Sequence, residues 1–207
     1  MSKGQLFVVS GPSGSGKDTV LKKLFVSHPE IKFSISSVTR PMRLGEVEGE
    51  KYNFISREKF LYMLDNNMLL EHNEYCGNFY GTPSALVQEC IEHGADIILE
   101  IDVNGAANVR KIMPEVISIF IMPPSIEVLK KRLSGRGTEN PDIVEKRMIA
   151  SIGEIVRAKE YDYIVVNDVL EDAVRDLSNI IVSQRNSIDR KKYLIDEVLE
   201  NVKSCNW

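Results

Sequence analysis

Cysteine is scarce in this chain. Its three cysteines, Cys76, Cys90 and Cys205, are odd in number and widely spaced, a pattern that gives neither a disulfide framework nor a zinc site. Histidine is as sparse, and His28, His72 and His93 read as surface residues. No apolar run approaches the ~18 residues that a membrane helix needs. The polar start, Met1 to Gln5, runs straight into a strand-like segment, so no signal peptide is expected and the expected location is cytoplasmic. Basic residues are not in excess either. Lysine and arginine number 26 against 30 acids, for a net charge of -4, which argues against a nucleic-acid binder. Free nucleotides remain open as ligands, because a small pocket needs only a few local cations. Internal repeats and low-complexity tracts are absent.

What is present belongs to an ordinary globular chain. Its 207 residues are 43% hydrophobic and 27% charged, enough for one domain with its own core. Short apolar runs recur between helical patterns. Leu6–Ser10, Ile97–Ile101, Val116–Met122 and Tyr163–Val166 read as buried strands. Helices are predicted from Asp18, over Pro83–His93, Asn104–Met113, Ser125–Ser134 and Pro141–Glu160, and over Leu170–Arg190. Thr82-Pro83 and Asn140-Pro141 each place a capping residue before a first-turn proline, and Ser125 can cap the helix after Pro124. Alternating strands and helices with continuous apolar strands imply an α/β fold, a doubly wound parallel sheet covered on both faces. The stretch from about Ser34 to Thr82 breaks this rhythm. Its short runs, Lys32–Ser36, Lys51–Ile55, Leu69–Tyr75 and Asn78–Tyr80, look antiparallel and read as an inserted small α+β domain. Ser134–Glu139 is Gly-rich and charged, a candidate lid. The expected organisation is a core of residues 1–33, 83–133 and 148–207, an insertion of 34–82 and a lid of 134–147. The last stretch, Lys191–Trp207, has amphipathic helical spacing and reads as a docked tail.

The strongest chemical signal is Gly11-Pro12-Ser13-Gly14-Ser15-Gly16-Lys17, placed after a strand and opening a helix. Glycines let successive N–H groups turn toward phosphate oxygens, and the helix N-terminus adds partial positive charge. Lys17 reaches the outer phosphates as a point charge. The motif usually continues with Ser or Thr, whose hydroxyl touches magnesium. Here Asp18 stands in that place, followed by Thr19. Two accounts of Asp18 compete: it turns to solvent or to a nearby lysine such as Lys22, four residues on, or it holds magnesium-bound water together with Glu100. Glu100 and Asp102 end a buried strand, where nucleotide-bound magnesium is commonly oriented, although either could instead cap the helix at Asn104. Arg40, Arg43 and Tyr52 with nearby hydroxyls make a plausible monophosphate cradle, since arginine binds phosphate bidentately.

Several motifs occur together in one order: the phosphate loop, Ser-x-Thr-Arg-Pro-x-Arg-x-Gly-Glu-x-x-Gly-x-x-Tyr from Ser37, Leu70-Glu71, Gly77-Asn-Phe-Tyr-Gly81, Glu100-Ile-Asp102, Gly135-Arg-Gly137 and Val165-Val-Asn-Asp168. In this order and spacing, over roughly Gln5 to Gln184, the chain resembles guanylate kinases. The resemblance implies transfer of a phosphoryl group from ATP, carrying magnesium, to GMP. It implies that Ser36, Arg40, Arg43, Tyr52, Glu71, Tyr80, Thr82 and Asp102 line the GMP site, with Arg40, Arg43, Tyr52 and Tyr80 on its phosphate. It also implies that Arg136 and Arg147 contact the transferring phosphates, with Arg132 and Asn167 near ATP. Glu100 departs from the Asp common in that family. Guanine's N1–H and N2–H donors suit a carboxylate such as Glu71, and adenine would leave that carboxylate unpaired. Non-catalytic modules of the same fold typically lose the phosphate-loop lysine, which is present here.

Overall fold

The computed structural model describes residues 3–75, 77–135 and 141–204. The first half forms β1 Leu6–Ser10, α1 Lys17–Ser27, β2 Lys32–Phe33, β3 Ser36–Val38, β4 Tyr52–Phe54, α2 Arg57–Asp65, β5 Leu69–Tyr75, β6 Asn78–Pro83 and α3 Ser84–Glu92. The second half forms β7 Ile97–Glu100, α4 Val103–Ile112, β8 Ile117–Met122, α5 Ile126–Ser134, α6 Pro141–Val156, a 3-10 turn Arg157–Glu160, β9 Tyr163–Val166, α7 Leu170–Gln184, α8 Ile188–Lys191 and α9 Tyr193–Ser204.

All five residues of β1 are buried, as a strand covered on both faces must be. It is the middle of a five-stranded sheet ordered β2-β7-β1-β8-β9, with every pairing parallel. Alternate residues feed two cores. Phe7 and Val9 pack with Val20, Leu24 and Leu177 of α1 and α7, while Leu6 and Val8 pack with Val87, Ala106 and Val109 of α3 and α4. The period of two in the strand thus becomes two helical layers around one sheet. Each wholly buried Leu, Val or Phe contributes about 1.5–3 kcal/mol. The carboxyl ends of β1 and β7 deliver the phosphate loop and Glu100 to the same edge, where ligands sit in open α/β sheets.

A second sheet, ordered β4-β3-β6-β5, stands apart. It is mixed: β3 pairs β4 in parallel, whereas β6 runs antiparallel to both β3 and β5. The expected run Lys32–Ser36 therefore divides. Lys32–Phe33 joins the core sheet beside β7, and Ser36–Val38 belongs to the second sheet. The sequence reading also misses α2, which Ser56 starts by accepting a hydrogen bond from the Lys59 N–H at 3.2 Å.

Helix ends correct two further expectations, and the tail corrects a third. Ser125 caps α5 as anticipated, accepting from the Val128 N–H. Thr82 does not cap α3, because its hydroxyl is committed to Glu71 inside the sheet and the helix begins at Ser84. Asn140 lies outside the described residues. The helix expected over Leu170–Arg190 breaks after Gln184, where successive N–H groups of residues 185–187 bond three residues back. The break has a cause in charge. Buried Asp96 accepts from Arg185 Nε at 3.0 Å and from Arg190 Nη1 at 2.9 Å. Five residues apart on a straight helix, those arginines would point in different directions. The tail forms α9, but Val198 and Leu199 are 61% and 54% exposed, so it is not packed down as expected. Among the described residues no helix is long and apolar enough to cross a membrane.

Candidate active site

The phosphate loop leaves β1 and turns through Gly14 and Gly16, with φ of 85° and 82°. Only glycine takes this region without strain. Gly16 is also a close approach: a Cβ there would lie 2.3 Å from Asn167 Nδ2. Asn167 donates that Nδ2 to the Ser15 carbonyl at 2.8 Å, and Arg132 donates to the same carbonyl at 3.2 Å and to the Asn167 carbonyl at 3.0 Å. Arg147 Nη2 donates to Ser13 Oγ at 2.7 Å. Arg132, Arg147 and Asn167, distant in sequence, are thus gathered on the loop. With Gly11–Thr19, Arg43 and Asp168 they line a cavity of about 590 Å³. Ser15 Oγ is buried there without a protein partner. Arg136 lies outside the described residues.

A second cavity, of about 290 Å³, opens between the two sheets. Ser36, Arg40, Arg43, Tyr52, Glu71, Tyr80 and Asp102 line it together with Lys17 and Glu100. Thr82 stands just behind, donating its hydroxyl to Glu71 Oε1 at 2.7 Å. Glu71 is 6% exposed. Burial pushes its carboxyl up to about 7; the Thr82 hydrogen bond opposes the shift and the charge of Asp102 adds to it. Asp102 does two things at once. Its Oδ1 caps α4 through the Asn104 and Gly105 N–H groups, both at 2.8 Å, and its Oδ2 accepts from Asn73. The cap and the site are therefore not alternatives.

At the other end of this cavity, Arg40 is 7% exposed and clamped bidentately by Glu46, at 2.7 and 2.6 Å. Glu46 also accepts from the Arg43 N–H at 2.7 Å, and the Arg40 guanidinium holds its carboxyl down at about 2. The guanidinium lies over the rings of Tyr52 and Phe54, 5.0 and 5.4 Å from their centres. Its Nε is buried without a partner. Tyr80 packs edge-on to Tyr52 at 6.4 Å.

Asp18 is largely exposed and turns to nearby lysines, as the first of its two accounts has it. Its carboxylate pairs with Lys51 at 3.1 Å and Lys17 at 3.5 Å, not with Lys22. Glu100 bonds the same two ammonium groups, Lys51 at 2.8 Å and Lys17. Oxygen donors of this kind suit magnesium, which keeps several of its waters. Both carboxylates are already matched by lysines, and among the described residues no three His, Cys, Asp or Glu side chains group as a metal site.

Four contributors escape a reading of the sequence. Asn73 and Tyr75 follow Glu71 at period two on β5 and line the same cavity, so strand alternation alone could have found them. Glu46 has the look of a solvated acid until Arg40 is seen beside it. Gly105 carries no signal at all, yet a Cβ there would meet Glu71 Oε2 at 2.8 Å.

Comparison with known proteins identifies the family. The family model described as guanylate kinase matches residues 3–184. A guanylate kinase of Clostridioides difficile is 44% identical over 197 residues, covering 95% of this chain and 96% of that protein. One from Halalkalibacterium halodurans is 48% identical over 182 residues, covering 88% and 89%. Among solved structures, guanylate kinase from Anaplasma phagocytophilum superposes with a TM-score of 0.77 at 35% identity, covering 92% of this chain and 90% of that one. This chain belongs to the guanylate kinase family.

Proposed function

We propose that this protein is an ATP:GMP phosphotransferase that binds ATP on the phosphate loop and GMP between the two sheets, and makes ADP and GDP. The observation that carries the reading is that the two cavities share a wall: Gly11, Lys17 and Arg43 line both. A donor phosphate on one side and an acceptor phosphate on the other would meet across Lys17. An oxygen of the GMP phosphate attacks the γ-phosphorus in line, the bond to the β–γ bridging oxygen breaks, and ADP leaves with that oxygen. A phosphate oxygen is already a nucleophile, so no covalent enzyme intermediate is needed. The protein's part is positioning and neutralisation of charge.

The loop N–H groups and Lys17 hold the donor phosphates, with Arg132 and Asn167 fixing the loop's shape and Arg147 beside it. Arg40, Arg43, Tyr52 and Tyr80 hold the acceptor phosphate. Buried Arg40 Nε and Ser15 Oγ are polar atoms that such anions would satisfy. Glu71 accepts from guanine N1–H and N2–H, with Ser36, Thr82 and Asp102 around it. Magnesium arrives with ATP as part of the substrate and spreads the phosphate charge; Glu100 and Asp18 are the carboxylates able to meet its water shell. The test is ADP release against a panel of nucleoside monophosphates. GMP should support turnover and AMP, CMP and UMP should not; equal turnover with AMP would overturn the assignment of Glu71, and no turnover with any would leave a binding module.

A further inference from the structure

Lys51 is a cation that the reaction as described does not use. It directly precedes Tyr52 at the start of β4, and its side chain reaches Glu100 at the end of β7 and Asp18 in α1. Its Nζ lies 2.8 Å from Glu100 Oε1 and 3.1 Å from Asp18 Oδ2, and 5.7 Å from the centre of the Tyr52 ring. Lys17 approaches the same two acids from the phosphate loop. Two ammonium groups and two carboxylates thus alternate, formally neutral: Lys17 lines both cavities, Asp18 the donor cavity and Glu100 the acceptor cavity, while Lys51 faces a neighbouring cavity of about 520 Å³ with Asp18 and Glu100.

Asp18 is the unusual member of this group. A phosphate loop normally carries a hydroxyl at that position. Here a full negative charge stands in the first turn of α1, lining the donor cavity. A polyphosphate that draws Lys17 to itself would leave Asp18 and Glu100 facing each other and the incoming anion. Lys51 is the cation that stays, because it is anchored on the other sheet.

We propose that Lys51 is a positioning residue for phosphoryl transfer: it is the counter-charge that lets a carboxylate occupy position 18, and it holds Asp18 and Glu100 together while Lys17 serves the donor phosphates. The electrostatic state of the donor cavity is then set by a side chain of the acceptor's sheet, next to a tyrosine directed at the acceptor phosphate. This rests on ATP occupying the phosphate-loop cavity.

The test is a double-mutant cycle on positions 18 and 51, read as ATP affinity by calorimetry at fixed magnesium and without GMP. Lys51→Met should weaken ATP binding about tenfold, the effect of one uncompensated charge at short range. Asp18→Asn placed in that background should recover most of the loss, and Lys51→Arg should stay within about threefold of the parent. Lys51 is one-third exposed, so these variants should fold, and thermal melts check it. Should Lys51→Met prove unstable, Lys51→Gln gives the same reading. Additive effects at the two positions would overturn the proposal, as would loss of GMP affinity with ATP affinity unmoved, which would make Lys51 an acceptor ligand. Because the cycle is read without GMP, its failure in a protein that still makes GDP sinks this inference alone. A parent protein that makes no GDP sinks the reaction instead.

Discussion

Burial raises the Glu71 carboxyl to about 7, into the neutral range. On the proposed reading guanine's donors need the carboxylate, and protonation competes with them. The KM for GMP should therefore be flat above about pH 8 and rise by roughly tenfold per unit well below pH 7. The substrate's own phosphate also titrates in this range. The control is Glu71→Gln, which should keep only the slope due to that phosphate. At pH 8 the same variant should bind GMP roughly ten- to a hundredfold more weakly, the worth of a charge-assisted hydrogen bond, about 1.5–3 kcal/mol. Stability should move the other way. The folded value of about 7 exceeds the ordinary 4.5, so between these pH values the folded chain keeps a proton that the unfolded chain has lost. Stability then falls as pH rises through that window, and Glu71 opposes folding above it. Glu71→Gln should melt no lower than the parent at pH 8, and a clear fall in Tm would contradict this. Lys17→Met should abolish GDP formation while leaving the circular dichroism spectrum unchanged; near-normal turnover would move the chemistry elsewhere.

Among the elements, α4 is where packing and recognition meet. Gly105 costs its helix up to about 1 kcal/mol relative to alanine, yet an added Cβ would stand 2.8 Å from Glu71 Oε2. Gly105→Ala should raise the KM for GMP severalfold with the KM for ATP unmoved, since the group that must yield is the carboxylate proposed to read the base. Gly16→Ala should fail differently. A φ of 82° and the contact with Asn167 strain the loop by about 1–2 kcal/mol, so ATP affinity should fall instead. Such contrasts show what the sequence makes legible. The core strands announce themselves as apolar runs because both of their faces are covered, and the phosphate loop because glycine and lysine sit in register behind one of them. The second sheet is half-buried and short, so its mixed pairing leaves little pattern, and α2 hides within it. Glu71 alone reads as a surface carboxylate and is picked out only by the motifs around it, and close approaches such as that of Gly105 have no side chain to betray them.

At the scale of the whole molecule, the two cavities share one wall, and the acceptor cavity is lined from both sheets. Filling both should draw the sheets together, so the radius of gyration should shrink with a bisubstrate analogue and change less with either nucleotide alone. An identical radius in all four states would exclude large closure. The far edge of the core sheet carries a different lesson. Asp96 is 5% exposed and depends on Arg185 and Arg190, just past the helical break. The family-matched span ends at residue 184, one position short of the first of them. A chain cut back to that boundary would keep the family-matched span yet leave Asp96 with the Gln5 N–H and neither arginine. Cutting after residue 192 should spare most of the parent's Tm, and cutting after 184 should not. For anyone trimming this protein for crystals or fusions, the last indispensable feature is a pair of guanidinium groups that no catalytic motif would have flagged.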